Sequence, residues 1–266
     1  MLREITLGQY YPAKSILHSL DPRVKLFSTL VFIITLFSVD NVVLFAIVLL
    51  TLFGIIKMSH VPFSFMVKGL RSIVVLLIIA GLFNLFLTPG ITIFSFGFLT
   101  ISDVGLKNAV LMTSRMILLI IGTSLMTLTT TPNQLTDGLE KSLGFMKKFG
   151  VPVHEISMMM SIALRFIPIL IEETDKIMKA QMARGADFES GGLIKKAKNM
   201  VPLLVPLFVS AFRRANDLSY AMEARCYNGG EGRTKMRPLK YSSLDQRAYI
   251  CIVAYIIIFY AVKVVL

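Results

Sequence analysis

Five long apolar segments limit the folds open to this chain more than any other feature of its sequence. A helix needs about 20 mostly apolar residues to cross the hydrocarbon core of a bilayer, and each segment approaches or exceeds that length. Hydrophobic residues make up 55% of the chain and charged residues only 17%, which is unusual for a soluble domain. We therefore expect an all-α membrane protein with about five transmembrane helices. The segments are roughly 24–39, 42–58, 73–87, 104–128 and 248–266.

The breaks between these segments predict how they connect. Asp40 and Asn41 separate the first two spans, which should therefore form a tight hairpin. Pro89 ends the third span, and we interpret the Phe-rich stretch 91–101 that follows as an interfacial loop. The first 23 residues are mostly polar and lack the apolar core of a signal peptide, so we expect none.

The distribution of Lys and Arg predicts the orientation, because cytoplasmic loops of membrane proteins are enriched in these residues. The stretch 130–247 holds 18 of the 28 Lys and Arg, whereas only Lys107 and Lys263 would face the opposite side. We expect a multi-pass protein of the plasma membrane with a cytoplasmic N-terminus and an external C-terminus. The same asymmetry explains the net charge of +12, so we expect contact with the lipid bilayer and no nucleic-acid partner.

The long basic stretch is too patterned to be a disordered loop. Pro and Gly lie where helices start and stop, and they predict three helices at about 132–150, 152–185 and 193–227. The predicted domains are a membrane part with four transmembrane helices (1–129), a cytoplasmic helical region (130–247) and a final transmembrane helix (248–266).

The second and third cytoplasmic helices are more apolar than a contact between two helices requires. The stretch 201–212 is apolar on nearly every side, and three consecutive Met begin a similar stretch at Met158. Two compatible interpretations stay open. The helices pack on each other and on the membrane part, or they also expose an apolar face to another membrane protein, a role that Met-rich surfaces suit. The contact candidates are Leu203, Leu204, Leu207, Phe208, Met159 and Met160.

No catalytic, metal or cofactor site is evident in the sequence. The three His are far apart and have no Cys or carboxylate cluster at metal-ligand spacing. Neither a G-x-S-x-G nucleophile elbow nor a G-x-x-x-x-G-K-[ST] phosphate loop occurs. Cys226 and Cys251 lie in segments of different polarity, so we expect no disulfide. The adjacent Glu172 and Glu173 are interpreted as part of a solvated helical face.

Arg115 is the main charge inside a predicted span. An unpaired Arg at the middle of the membrane costs about 2.5–3.5 kcal/mol on insertion scales. A structural partner and a functional role both stay open for this residue.

Two helix ends in the cytoplasmic region resemble each other. Each reads Ala-x-x-Ala-Arg followed by a small residue, and each closes a long helix. A basic residue in a last helical turn is favoured by the helix dipole without any function. Two such ends in one region favour a shared role, because small neighbours permit close approach and Arg can bind a carboxylate with both arms of its fork. The residues concerned are Ala183, Arg184 and Gly185, and Ala224, Arg225 and Cys226.

On these motifs the chain resembles the transmembrane T component of energy-coupling factor (ECF) transporters, the EcfT family that is related to CbiQ of cobalt uptake systems. The segment 20–26, Leu-Asp-Pro-Arg-Val-Lys-Leu, is similar to the entry of that family's first span. The resemblance covers essentially the whole chain in order. Cys226 replaces the Gly often found after the second Arg.

The resemblance implies a mechanism in which this chain is not an enzyme. Two coupling helices would dock into grooves on two ATP-binding cassette (ABC) ATPase subunits, with Arg184 and Arg225 each facing acidic residues. A separate membrane protein, the S component, would capture a vitamin or metal ion. This chain would link ATP-driven motion to movement of the S component. ATP and Mg would bind the partner subunits, so no cofactor is expected here.

Two other classes of protein agree less well with the sequence. A secondary transporter that binds its own substrate would favour intramembrane charges and interrupted helices in related halves. Arg115 is the main such charge, and no inverted repeat is visible. A membrane-bound enzyme or receptor subunit has no supporting motif.

Overall fold

A computed structural model describes residues 10–71, 73–96, 99–188, 192–230, 236 and 238–265. These residues are mainly helical, which confirms the expected all-α membrane class. The elements are α1 (Ile16–Ser19), α2 (Pro22–Phe37), α3 (Val42–Ser59), α4 (Phe63–Arg71), α5 (Val74–Leu87), β1 (Thr92–Phe96), β2 (Leu99–Ser102), α6 (Asp103–Thr129), α7 (Pro132–Ser142), a 3-10 helix (Leu143–Phe149), α8 (Val153–Ala183), α9 (Leu193–Glu223) and α10 (Ser243–Val265).

Four of the described helices are long and apolar enough to cross a membrane, namely α3, α6, α8 and α10. The number rises to five if α4 and α5 together form one broken span. This range agrees with the predicted count of about five. The set of candidate spanning helices differs from the predicted set at two places. α2 was predicted to span but has only 16 residues, whereas α8 was predicted to be cytoplasmic but has 31. By length and composition alone, α8 therefore counts as a candidate span although its predicted location is cytoplasmic.

The predicted interfacial loop at 91–101 is instead a two-stranded antiparallel hairpin. β1 pairs with β2 in a register that places Phe96 opposite Leu99. The alternating apolar residues of this stretch are the usual pattern of a strand, so the correction follows from its periodicity of two. Ser102 ends the hairpin and begins α6, since its hydroxyl accepts a hydrogen bond from the Gly105 amide at 2.9 Å.

The chain divides into two compact units. The larger unit holds Gly8–Gly138 and Leu239–Leu266, and α6 packs there against α2, α3, α4 and α5. Its core is a cluster of fully or nearly fully buried side chains drawn mainly from α2, α3, α6 and α10, including Leu36, Leu44, Val48, Leu125 and Phe259. The smaller unit holds Leu139–Pro238 and is built mainly from α8 and α9.

The start of α2 is fixed by a network of polar contacts in the larger unit. Asp21 caps the helix by accepting from the Arg23 amide at 2.9 Å, and Pro22 fills the first helical position. The Asp21 amide in turn donates to the buried Asp245 carboxylate of α10 at 2.8 Å. Lys25 donates to the carbonyl of Thr129 at the end of α6, again at 2.8 Å. The segment 20–26 therefore joins the ends of three helices.

Arg115 has a structural partner. Its guanidinium donates to the Val39 carbonyl at 2.6 Å, and Lys263 of α10 donates to the Ser38 carbonyl at 2.7 Å. Both carbonyls follow the last turn of α2, where helices leave acceptors unsatisfied and carry partial negative charge. Two cations from neighbouring helices therefore cap α2, which accounts for the position of Arg115 inside a span.

Candidate functional site

The predicted helix end at Arg184 closes α8 in a defined geometry. Gly185 adopts a left-handed conformation with φ +88°, and its amide donates to the Met182 carbonyl at 2.9 Å. The Ala186 amide reaches back to the Gln181 carbonyl at 3.0 Å. These two bonds form the Schellman pattern of helix termination, in which Arg184 is the last residue before the chain reverses.

The second helix end repeats this geometry with a different residue. Cys226 takes the left-handed conformation with φ +56°, and its amide donates to the Glu223 carbonyl at 2.8 Å. The Tyr227 amide donates to the Met222 carbonyl at 3.0 Å. Arg225 therefore occupies the same position as Arg184, immediately before the left-handed residue. A left-handed conformation is uncommon outside Gly, so Cys226 holds a strained position that Gly185 occupies without strain.

Both arginines are available to a partner. All six predicted residues of the two ends are exposed, including Arg184 and Arg225. Among the residues that the structure describes, no carboxylate pairs with either guanidinium. A solvated Arg that has small neighbours and no internal partner is suited to binding a carboxylate on another chain.

The two ends lie at opposite ends of an antiparallel helix pair. Glu173 of α8 pairs with Arg214 of α9, while Asn199 near the start of α9 donates to the Asp187 carbonyl just after α8, at 2.6 Å. At the other end, Gly230 lies against the His154 ring near the start of α8. Each helix has 31 residues and is about 46 Å long. The two arginine ends therefore lie apart from each other, one on each side of the Glu173–Arg214 contact.

The six apolar contact candidates do not form one surface. Leu204 and Phe208 are exposed, at 42% and 62%, and they continue a stripe with Val201, Val205 and Phe212. Leu203 is only 6% exposed and Leu207 is half-buried, so Leu203 is not available as a contact in this structure. Met159 and Met160 are exposed, but the antiparallel register places them beside the last turn of α9.

Comparison with known proteins decides the family. The model of the family CbiQ, cobalt transport protein, matches residues 13–236. The chain is 54% identical over 254 residues to the energy-coupling factor transporter transmembrane protein EcfT of Clostridium kluyveri, with 94% of each chain covered. It is 47% identical over 254 residues to the protein of that name from Bacillus subtilis, covering 95% of this chain and 96% of the relative. The chain belongs to the CbiQ/EcfT family. The resemblance found in the sequence is thereby confirmed, and the chain is a T component of an ECF transporter.

Three contacts of this EcfT-family chain were not found by sequence reasoning. Glu173 was interpreted as part of a solvated face, but it accepts from Arg214 at 2.8 Å and from the Ser210 hydroxyl, which ties α8 to α9. In the same unit, Glu140 contacts His154 at 3.0 Å and accepts from Ser157 at 2.8 Å. The carboxylate, rather than the His, contacts the Ser, so the trio lacks the order of a nucleophilic triad. The third is the contact of Asp21 with Asp245 described above.

Metal-ligand geometry is absent from the described part of this EcfT-family chain, where no group of three or more His, Cys, Asp or Glu could hold an ion. Cys226 and Cys251 are both free. The surface features that stand out among the described residues are the two exposed arginine ends and the apolar stripe of α9.

Proposed function

We propose that this T component transmits the motion of two ABC-type ATPase subunits through Arg184 and Arg225 to a substrate-binding S component. The observation that carries the proposal is the repeated geometry of the two helix ends. The same backbone hydrogen bonds present the same exposed side chain at both, although Gly follows one Arg and Cys follows the other. Two helix ends that expose Arg in the same geometry are expected where two related partner subunits bind.

The two ATPase sockets would each supply a desolvated acidic group. Ala183 and Gly185 flank the first Arg, and Ala224 and Cys226 flank the second, so the residues directly before and after each Arg are small. Bidentate pairing with a carboxylate would fix the orientation of each helix end as well as its position. ATP and Mg would bind the ATPase subunits, and this chain would bind no cofactor itself.

The S component would contact the exposed apolar stripe of α9 at Leu204 and Phe208. Large exposed apolar patches mark sites of contact with protein or membrane. A surface without polar groups at defined positions would suit partners that differ in sequence. The imported compound would be a vitamin or a metal ion selected by the S component.

Fewer observations support the alternative function, a secondary transporter that binds its own substrate. Intramembrane charges in such carriers serve substrate or ions. Arg115 and Lys263 are instead engaged by the last carbonyls around the end of α2. The proposal therefore assigns them a structural role.

The test is purification of the chain from its own cells, followed by mass spectrometry of the proteins that remain bound. We expect two ABC-type ATPase chains, identical or related, together with a small membrane protein. Saturable binding of a transported compound by the purified chain alone, without ATPases, would favour the carrier instead.

The proposed orientation has a cytoplasmic N-terminus, a cytoplasmic 130–247 region and an external C-terminus. Lys198 is exposed near the start of α9 and offers a labelling position. A Lys198→Cys variant whose native cysteines are replaced by Ser should react with an impermeant maleimide only after the cells are opened. Labelling in intact cells would contradict the orientation.

A further inference from the structure

The ion pair between Glu173 and Arg214, here called the crossing pair, lies at equivalent positions of the two helices. Glu173 precedes Arg184 by 11 residues, and Arg214 precedes Arg225 by 11 residues. Eleven residues are about three helical turns, so each member of the crossing pair lies on nearly the same helix face as its terminal Arg. The distance from the crossing pair to either helix end is about 16 Å along the axis.

The match between the two helices continues between these positions. Ala180 corresponds to Ala221, and Ile177 corresponds to Leu218. In an antiparallel pair of similar helices, equivalent positions meet where the helices cross. Like charges at such a point would repel each other, whereas Glu on one helix and Arg on the other attract. The two helices can therefore form an ion pair at this position because one carries Glu and the other carries Arg.

The crossing pair is held by directed hydrogen bonds. Arg214 Nη2 donates to one carboxylate oxygen of Glu173 at 2.8 Å, and the Ser210 hydroxyl donates to the other oxygen. The side chains are 21% and 38% exposed for Glu173 and Arg214, so the contact is only partly open to solvent. Both carboxylate oxygens are engaged, which fixes the orientation of Glu173 between the helices.

The packing beyond the crossing pair is looser on one side. Towards the end of α9, a groove of about 330 Å³ lies between the helices, lined by residues such as Ile162, Phe166, Leu218 and Met222. A groove leaves fewer interhelical contacts than a close-packed interface would. Arg214 itself lines this groove, so the crossing pair supplies a directed polar contact where close packing between α8 and α9 is reduced.

We propose that Glu173 and Arg214 are positioning residues that form the pivot between the two arginine helix ends, so that displacement of one end is passed to the other. This inference rests on the proposed function, in which both ends engage ATPase subunits. With arms of equal length, a rotation about the crossing pair moves the two ends by equal amounts. Without the pair, each end follows its own ATPase subunit, and the two motions are no longer coordinated.

The test uses the complete transporter and neighbouring residues of the same type as controls. Glu173→Gln and Arg214→Gln remove the pair, whereas Glu172→Gln and Arg213→Gln change exposed neighbours that have no part in it. For the two pair variants we expect unchanged ATPase co-purification and about a fivefold fall in compound imported per ATP hydrolysed. That fall corresponds to about 1 kcal/mol, a size expected for a partly exposed charged contact. The two control variants should resemble the wild type.

A second measurement separates a pivot from a general need for stability. Spin labels at Met182→Cys and Tyr220→Cys, in a chain whose native cysteines are replaced by Ser, report the distance between the helix ends. Loss of the crossing pair should broaden this distance distribution. The exchanged pair Glu173→Arg with Arg214→Glu should restore both the narrow distribution and the import ratio, since Ser210 can accept from Arg as well as donate to Glu.

The outcomes distinguish the pivot from the proposed function. If the wild-type chain co-purifies with its ATPases and imports normally, but the pair variants match the control variants in import ratio and distance distribution, the pivot is refuted. Failure of the exchanged pair to restore the ratio, in a complex that assembles fully, also refutes it. If the wild-type chain binds no ATPase at all, the proposed function fails instead.

Discussion

Replacing both terminal arginines by Ala should separate the complex without unfolding this chain. Arg184 and Arg225 are exposed, and no described carboxylate pairs with them. Substitutions at such surface positions usually change the free energy of unfolding by about 0.5 kcal/mol or less. The melting temperature of the purified double variant should therefore match that of the wild type.

The effect on assembly is expected to be much larger. Removing one partner of a desolvated, hydrogen-bonded charge pair costs about 2–5 kcal/mol, mainly because the other charge is left buried and unpaired. That range corresponds to about a 30-fold to several thousand-fold loss of affinity at each socket. Under the proposed function the two ends would bind as linked sites, so a single substitution should weaken attachment while the remaining end retains it. When both Arg side chains are removed, no end remains to hold the ATPase subunits.

The assay compares Arg184→Ala, Arg225→Ala, the double variant and the corresponding Lys variants in ATPase co-purification and in uptake. We expect graded weakening in the single variants and loss of both activities in the double variant. Lys should substitute poorly because it keeps the charge but lacks the planar fork. Normal uptake and normal ATPase binding in the double Ala variant, at normal expression, would refute the coupling mechanism.

The other predictions concern the helix-end backbone and the apolar stripe. Cys226→Gly should stabilise the chain by about 0.5 kcal/mol, because the relief of left-handed strain exceeds the added flexibility of the unfolded chain. Gly185→Ala should instead destabilise it by about 1 kcal/mol, from strain alone, since a Cβ there would meet no atom within 4 Å. Thermal melts of the two variants should shift in opposite directions, and a shift in the same direction would contradict the assignment. Phe208→Asp should release the S component and spare the ATPases. Met200→Asp, also exposed on α9 but about 100° around the helix from the centre of the stripe, should release neither. If Phe208→Asp unfolds the chain, the stripe belongs to the core.

The long helices could be predicted because their signals are local. Pro and Gly mark the limits of α8 and α9 to within a few residues, and the apolar segments of α3, α6 and α10 have spanning length. The hairpin β1–β2 was missed because a short alternating stretch beside a Pro-Gly turn also fits an irregular loop. The role of α2 stays ambiguous by length, since its 16 residues are fewer than a span usually needs.

The polar contacts could not be predicted because they join residues distant in sequence. Asp21 and Asp245 are 224 residues apart, and Arg115 lies 76 residues from the carbonyl that it caps. In neither contact does the sequence around one residue indicate which distant residue it will meet. Glu173 and Arg214 did have one, since each precedes its terminal Arg by the same number of residues. An alignment of the two helix ends over three further turns places Glu173 and Arg214 at equivalent positions.

Under the proposed function, the helix-end geometry would let an exposed side chain carry a mechanical load. In each end, two backbone hydrogen bonds reach back over the last turn, from Gly185 and Ala186 in α8 and from Cys226 and Tyr227 in α9. These bonds fix the residue before them, and so the backbone sets the position of the base of each Arg side chain. Cys226 keeps this arrangement despite a left-handed φ of +56°, which costs a non-Gly residue about 1–2 kcal/mol. The hydrogen-bond pattern therefore outweighs the local strain, and under the proposed function a force applied at Arg225 would act on the last turn of α9.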